Sequence, residues 1–238
     1  MIRHLALSRQ GQARQAVRVH LLLPVPADHR PARALLLLAG LAAYGASVGL
    51  MLQAGLGVMP WSVLDQGLSS VFGLAVGTWS IIVGAVVLLL WVPLRSRPGI
   101  GTLTNVVLVG LSINATVAVV PAADTLAVQV PLLVAGILLN GIATGAYIGA
   151  GLGPGPRDGL STGLAQRGLS LRVVRTGIEV GVLAVGWPLG GTVGVGTVLY
   201  AVAIGPLVHL TLPALQVRGR GTAGHTRAAP VADQTTPA

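Results

Sequence analysis

The chain has no cysteine, no lysine and a single glutamate, Glu179, in 238 residues. The missing cysteine excludes disulfides, thiolate metal sites and a cysteine nucleophile. Charged residues make up 9 % and aromatic residues 3 %, whereas a soluble domain carries about 25 % charge, so an ordinary soluble fold is excluded as well. With no lysine, all 15 positive charges are arginine, and the net charge is +9.

What the chain has in excess is apolar residues, 53 % with a mean hydropathy of +0.81. They fall in runs of about 20, the length a helix needs to cross about 30 Å of hydrocarbon. Six such runs are read, near 34–53, 75–94, 102–120, 130–150, 173–189 and 196–215. They are continuously apolar rather than alternating, so helices are expected and a β-barrel is not. The ends differ. Residues 1–34 carry Arg3, Arg9, Arg14, Arg18, Arg30 and Arg33 among prolines and read as a basic cytoplasmic tail, not a signal peptide. Residues 216–238 are polar and read as a disordered cytoplasmic tail.

The middle of the chain repeats itself. Residues 36–68 match 132–164 at 14 of 33 positions, and 73–110 match 168–205 at 11 of 38. Glycines and prolines hold the frame, which chance matching of leucines would not produce. Each copy, 35–120 and 121–215, contains a span, a Gly-Leu-Gly hinge, a short segment (61–72 or 157–167), and two more spans. The short segments are under the roughly 17 residues a crossing needs. Three spans per copy turn the second copy upside down. Arginine is retained on the cytoplasmic side, and with the N terminus inside every connection obeys that rule: Arg95, Arg97, Arg157, Arg167, Arg172 and Arg175 fall inside, Asp124 outside. Arg95 and Arg97 align with Gly190 and Thr192, as opposite-facing copies require.

The hinges read "GLGVMPWSVLDQGL" and "GLGPGPRDGLSTGL". Broken backbone at membrane depth needs a protein or water-filled surround, and in inverted-repeat carriers it builds the central site. Ser62 and Asp158 stand at equivalent places to cap the short helices. Arg172, Arg175 and Glu179 share one helix face, and an intramembrane carboxylate marks a functional or structural pair site. The expected cluster is Arg157, Asp158, Arg175 and Glu179; its counterparts in the first copy are Trp61, Ser62, Ser80 and Gly84, which puts charge chemistry on the inner half only. Trp61 is a gate or pocket wall, and with Ser62 and Asp65 completes the set of substrate- or ion-binding residues. A surface loop pair at Arg157 and Asp158 is the plain alternative. Gly45/Gly49 and Gly141/Gly145/Gly149/Gly153 read as helix-packing faces, Trp79, Trp91 and Trp187 as an interfacial belt, and His209 as an interfacial residue.

"GLSTG" fits G-x-S-x-G, yet without a strand, base and acid it is not a nucleophile elbow; "GLGPGP" lacks a Rossmann context. No catalytic residue, metal site, cofactor or nucleic-acid partner is expected, and the chain reads as no enzyme.

The segments "GLGVMPWSVLDQGL", "PGIGTLTNVVLVG", "GPGPRDGL", "RVVRTGIEVGVLAVGWPLGGTVGVGTV" and "AIGPLV" resemble the YczE/YitT-type bacterial membrane proteins, the YczE branch in particular, over 36–210. The resemblance implies a multi-pass protein of the bacterial cytoplasmic membrane, in a family for which transport, or support of other membrane or secondary-metabolite systems, has been proposed. Two departures are the arginine-rich first 34 residues and Asn114, where an acidic residue is expected. The fold reading is an all-α polytopic protein of six spans in two inverted repeats with two re-entrant or interfacial helices, both termini inside. Two functional readings stand: a secondary transporter of a small molecule or ion, since no Walker motif is present, and an accessory scaffold whose glycine faces bind a membrane partner. Besides lipid, a homodimer is a partner consistent with the small size.

Overall fold

The computed structural model describes residues 28–217, together with Leu23 and Pro26. Among them lie eight helices and no strand: α1 Arg30–Ala54, α2 Pro60–Phe72, α3 Val76–Leu94, α4 Ile100–Val119, α5 Leu126–Gly149, α6 Pro156–Ala165, α7 Leu171–Gly186 and α8 Val195–Leu215. Five of these, α1, α3, α4, α5 and α8, are long and apolar enough to cross a bilayer, which makes this a multi-pass helical membrane protein in contact with lipid. The run expected at 173–189 is helical for only 16 residues, about 24 Å at 1.5 Å per residue. The expected tails lie mostly outside the described residues. One boundary moves: α1 begins at Arg30, so 30–34 are helix rather than tail.

Helices α1 and α5 form the centre, and glycines set their separation. A Cβ on Gly40 would lie 2.8 Å from the Tyr147 amide nitrogen, and one on Gly136 2.7 Å from Met51 Cγ. The outer faces do the same: Gly45 and Gly49 of α1 seat Ser112 and Thr116 of α4, while Gly141, Gly145 and Gly149 of α5 seat Leu207, Thr211 and Leu215 of α8 and its C-terminal end. The fourth-residue glycine spacing therefore serves close packing.

The hinges follow one plan twice. Backbone with positive φ occurs at Gly55 and Gly151, Gly57 and Gly153, Gly73 and Gly168, and Arg95 and Gly190, each pair at aligned positions of the two copies. Each hinge docks on the other half: the Leu56 carbonyl accepts from Gly196 N at 2.8 Å, and the Leu152 carbonyl from Gly101 N at 2.9 Å. The short helices cross over likewise. Gly67 of α2 packs on the Gly186 carbonyl and Leu189 at the end of α7, and Gly159 of α6 packs on the Trp91 ring of α3.

Connections gather on two faces. On one, Arg33, buried at the start of α1, donates to the Asp28 carboxylate (2.9 Å) and the Ala150 (2.8 Å) and Val217 (3.2 Å) carbonyls; its hydrogen bond holds the Asp28 carboxyl below the usual carboxylate range. Leu23 N donates to the Pro98 carbonyl and Arg167 to the Pro93 carbonyl there. On the other, Ala123 N donates to the Gln53 carbonyl and Val58 N to that of Thr192.

Candidate functional site

Proline at the first position fixes φ for a helix start and supplies no N–H that would go unpaired. Helices α2 and α6 both begin this way, at Pro60 and Pro156, after extended backbone at Met59 and Gly155. Those two residues are the N-caps, and neither helix has a side-chain cap. The expected capping by Ser62 and Asp158 is thus corrected: proline moves each start forward and leaves both residues in the third helical position.

The first turn of α6 meets the first two turns of α2. Arg157 Nη2 donates to Asp65 Oδ2 at 2.9 Å and to the Ser80 hydroxyl at 3.1 Å, and its guanidinium lies 4.9 Å from the centre of the Trp61 ring. Asp65 is completely buried, and the Arg157 side chain is 18 % exposed. A carboxylate in that position is tolerated because a guanidinium neutralises it; removing either partner alone costs about 3–5 kcal/mol. Asp65 Oδ1 and the Ser62 hydroxyl, on the same helix, are buried without a hydrogen-bond partner among the described residues.

Asp158, next in sequence, is turned about 100° around the helix and meets different groups. Its Oδ2 accepts from the Tyr147 hydroxyl at 2.7 Å. Tyr147 meets Tyr44 edge to face, 5.9 Å between ring centres, and the Tyr200 hydroxyl donates to Asn140 Oδ1 at 3.2 Å. Asn140 in turn donates to the Ser47 hydroxyl at 2.8 Å. The chain has only three tyrosines, and all three line one chamber with Trp61, Asn105, Arg157 and Asp158.

The expected four-residue cluster is divided. Arg157 pairs with Asp65 across the two short helices, while Arg175 Nε donates to Glu179 at 3.0 Å along α7, where the Arg175 side chain is 55 % exposed. Both α7 residues still line the chamber, so all four face one space without forming one buried network. The charged residues are not confined to the second copy either, because Asp65 belongs to the first. The reason is that α2 and α6 cross between halves, which puts Asp65 closer to Arg157 than Glu179 is.

Trp61 is a chamber wall, as expected. Trp91 is not interfacial: it is buried, donates to the Pro156 carbonyl at 3.1 Å and covers Gly159. Ser161 donates back to the Arg157 carbonyl at 3.2 Å, and among the described residues its hydroxyl makes no hydrogen bond to a His, Asp or Glu side chain. Asn114 ties α4 to the start of α3, accepting from Gly77 N at 2.8 Å. Among the described residues no three His, Asp or Glu side chains gather to hold a metal ion. The sequence reading missed Tyr44, Tyr147, Tyr200 and Asn105; the rarity of tyrosine, with every copy inside an apolar run, was the available signal.

From the chamber a cleft of about 510 Å³ runs between α7, α8 and α5, walled by Ile148, Ala201, Ile204, Val208 and Leu212 and reaching His209.

Residues 31–213 match the model of a family of unknown function, DUF6198. The chain is 40 % identical over 178 residues to an uncharacterized protein of Haemophilus influenzae, covering 74 % of this chain and 82 % of the relative. It is 37 % identical over 173 residues to the uncharacterized membrane protein YczE of Bacillus subtilis, covering 72 % and 80 %, and 29 % identical over 176 residues to YyaS of the same organism, covering 71 % and 87 %. No solved structure matches. A family match over most of the chain, relatives 40 % and 37 % identical, and a multi-pass helical fold agree that the chain belongs to the YczE-type membrane protein family, DUF6198.

Proposed function

We propose that the chain is a secondary carrier of a small solute, acting without catalysis, built from two inverted three-crossing repeats in the bacterial cytoplasmic membrane with both termini cytoplasmic. The observation that carries this reading is the composition of the chamber wall. Met59 and Gly155, Pro60 and Pro156, Trp61 and Arg157, Ser80 and Arg175, Gly84 and Glu179, and Asn105 and Tyr200 are aligned positions of the two copies, and all of them line it. Residues at aligned positions come together only where the axis relating the copies passes. A polar chamber on such an axis, at the ends of broken helices, is the arrangement inverted-repeat carriers use for their solute.

Charge and connectivity support the orientation. The face where Arg33, Pro93, Pro98 and Ala150 lie also takes Arg95, Arg97 and Arg167; the face of Gln53, Val58, Ala123 and Thr192 has Asp124 and, among the described residues, no arginine. The basic face is the cytoplasmic one. Helix α7 starts near the first face and ends at Gly186, beside Leu64 of α2, and so supplies the sixth crossing although it is short.

The test uses the natural absence of cysteine. Leu74→Cys and Leu169→Cys are aligned and exposed; an impermeant maleimide should label the first in intact cells and the second only after permeabilisation. Labelling of both from one side would end the inverted arrangement. Asn105→Cys then probes the chamber in sealed vesicles. A carrier exposes its site to each side in turn, so a small impermeant thiol reagent should reach it from either face. Access from one face only would favour the accessory, partner-binding reading.

A further inference from the structure

We propose that the chamber and its cleft bind an organic ammonium ion bearing an apolar group, with Asp158 as the counter-ion. This deepens the carrier reading and rests on it. The first argument is charge. Asp65, Asp158 and Glu179 are the carboxylates around the chamber, and Arg157 and Arg175 the guanidiniums. Arg157 is held by Asp65 and Arg175 by Glu179. Asp158 makes no ion pair among the described residues; its one side-chain partner is the Tyr147 hydroxyl. A carboxylate at membrane depth without a cation is costly, and both nearby cations are already taken. The site is short of one positive charge.

The second argument is the surrounding surface. Two of the three tyrosine hydroxyls are committed to oxygen acceptors inside the protein, Tyr147 to Asp158 and Tyr200 to Asn140, and that of Tyr44 meets the Met59 sulfur at 3.6 Å, a weak acceptor. Most of the hydroxyl donors are therefore turned away from an anion. What they leave for a ligand is aromatic ring beside a carboxylate, the surface that attracts alkylammonium groups. Around Gly155 the space is tight: a Cβ there would lie 3.3 Å from Asp158 Oδ2, 3.4 Å from the Tyr147 hydroxyl and 3.5 Å from Asn105 Nδ2. The glycine keeps the carboxylate approachable.

The third argument is the cleft. Beyond its charged end, where Asp158, Arg175 and Glu179 lie, its wall is mainly Ile148, Ala201, Ile204, Val208 and Leu212, with Thr144 and His209 as polar interruptions, and that apolar stretch suits hydrocarbon. A ligand with a charged head and an apolar body satisfies both ends at once.

The experiment is calorimetric binding to the full chain purified in dodecyl maltoside, an uncharged detergent, using hexylammonium, ethylammonium, hexanoate and hexanol. Hexylammonium should bind tightest, with Asp158→Asn weakening it by about tenfold or more. Ile204→Trp fills the cleft without touching the carboxylate and should lower hexylammonium to the affinity of ethylammonium. Tighter binding of hexanoate, equal binding of hexanol, or unchanged affinity in Asp158→Asn that retains its helical circular dichroism would overturn the assignment. Uptake into vesicles is read separately. Binding of hexylammonium with no movement would sink the carrier reading and spare the ligand class; movement of hexanoate would do the reverse.

Discussion

In the first half, α3 and α4 lie in contact; in the second, their counterparts α7 and α8 stand apart. A Cβ on Gly110 would collide with the Gly77 carbonyl oxygen and with Ile81, and Asn114 bonds back to Gly77. The aligned residues are Gly205, Arg172 and His209, and a Cβ on Gly205 would meet nothing within 4 Å. Gly84, which seats Val106, becomes Glu179. Large charged side chains thus replace the two glycines that let one pair close, and the gap they leave is the cleft. The backbone plan is shared down to its positive-φ positions, so the two halves keep the same hinges while a few different residues on one helix open a cleft.

The largest effect should come from the link between halves. Arg157→Met alone leaves the Asp65 charge buried and should cost about 3–5 kcal/mol, read as thermal unfolding in detergent; adding Asp65→Asn should recover most of that. Losses that simply add would mean the two residues do not act as a pair. Next comes the closed against the open helix pair. Gly110→Leu should cost about 1–3 kcal/mol by overpacking, and Gly205→Leu should change stability by no more than about 0.5 kcal/mol. Equal losses would show that α7 and α8 pack as α3 and α4 do. The shared hinges should respond alike: Gly57→Ala and Gly153→Ala each force a side chain into strained backbone and should each cost about 1–3 kcal/mol, within error of one another. The smallest stability effect is expected at Glu179→Gln, about 0.3–0.5 kcal/mol for an exposed i,i+4 pair, with insertion intact. Solute movement should be lost in that variant; normal movement would remove Glu179 from the mechanism.

Much of the scaffold was readable in advance because lipid makes helix length and apolar runs nearly the same thing. The run expected at 196–215 is α8 at Val195–Leu215, and the short segments 61–72 and 157–167 are α2 and α6 within a residue or two. The duplication was readable because glycines that set close approach tolerate few replacements. The site was readable in its membership and not in its pairing. Arg157, Asp158, Arg175, Glu179 and Trp61 do share a chamber, yet Arg157 reaches Asp65, about ninety positions away in the chain, and nothing local to either residue signals that. Trp91 misled for the same reason: near a span end it looks interfacial, and only the crossing of α6 over α3 buries it.

The sequence by itself determined that this is a helical membrane protein with a repeated, glycine-hinged plan, since hydropathy and backbone freedom are properties of each residue in place. Only the tertiary structure decided which charge neutralises which, that three tyrosines converge, and that one helix pair closes while its counterpart opens. Those outcomes depend on distances between residues far apart in the chain, fixed by how the two short helices cross from one half to the other.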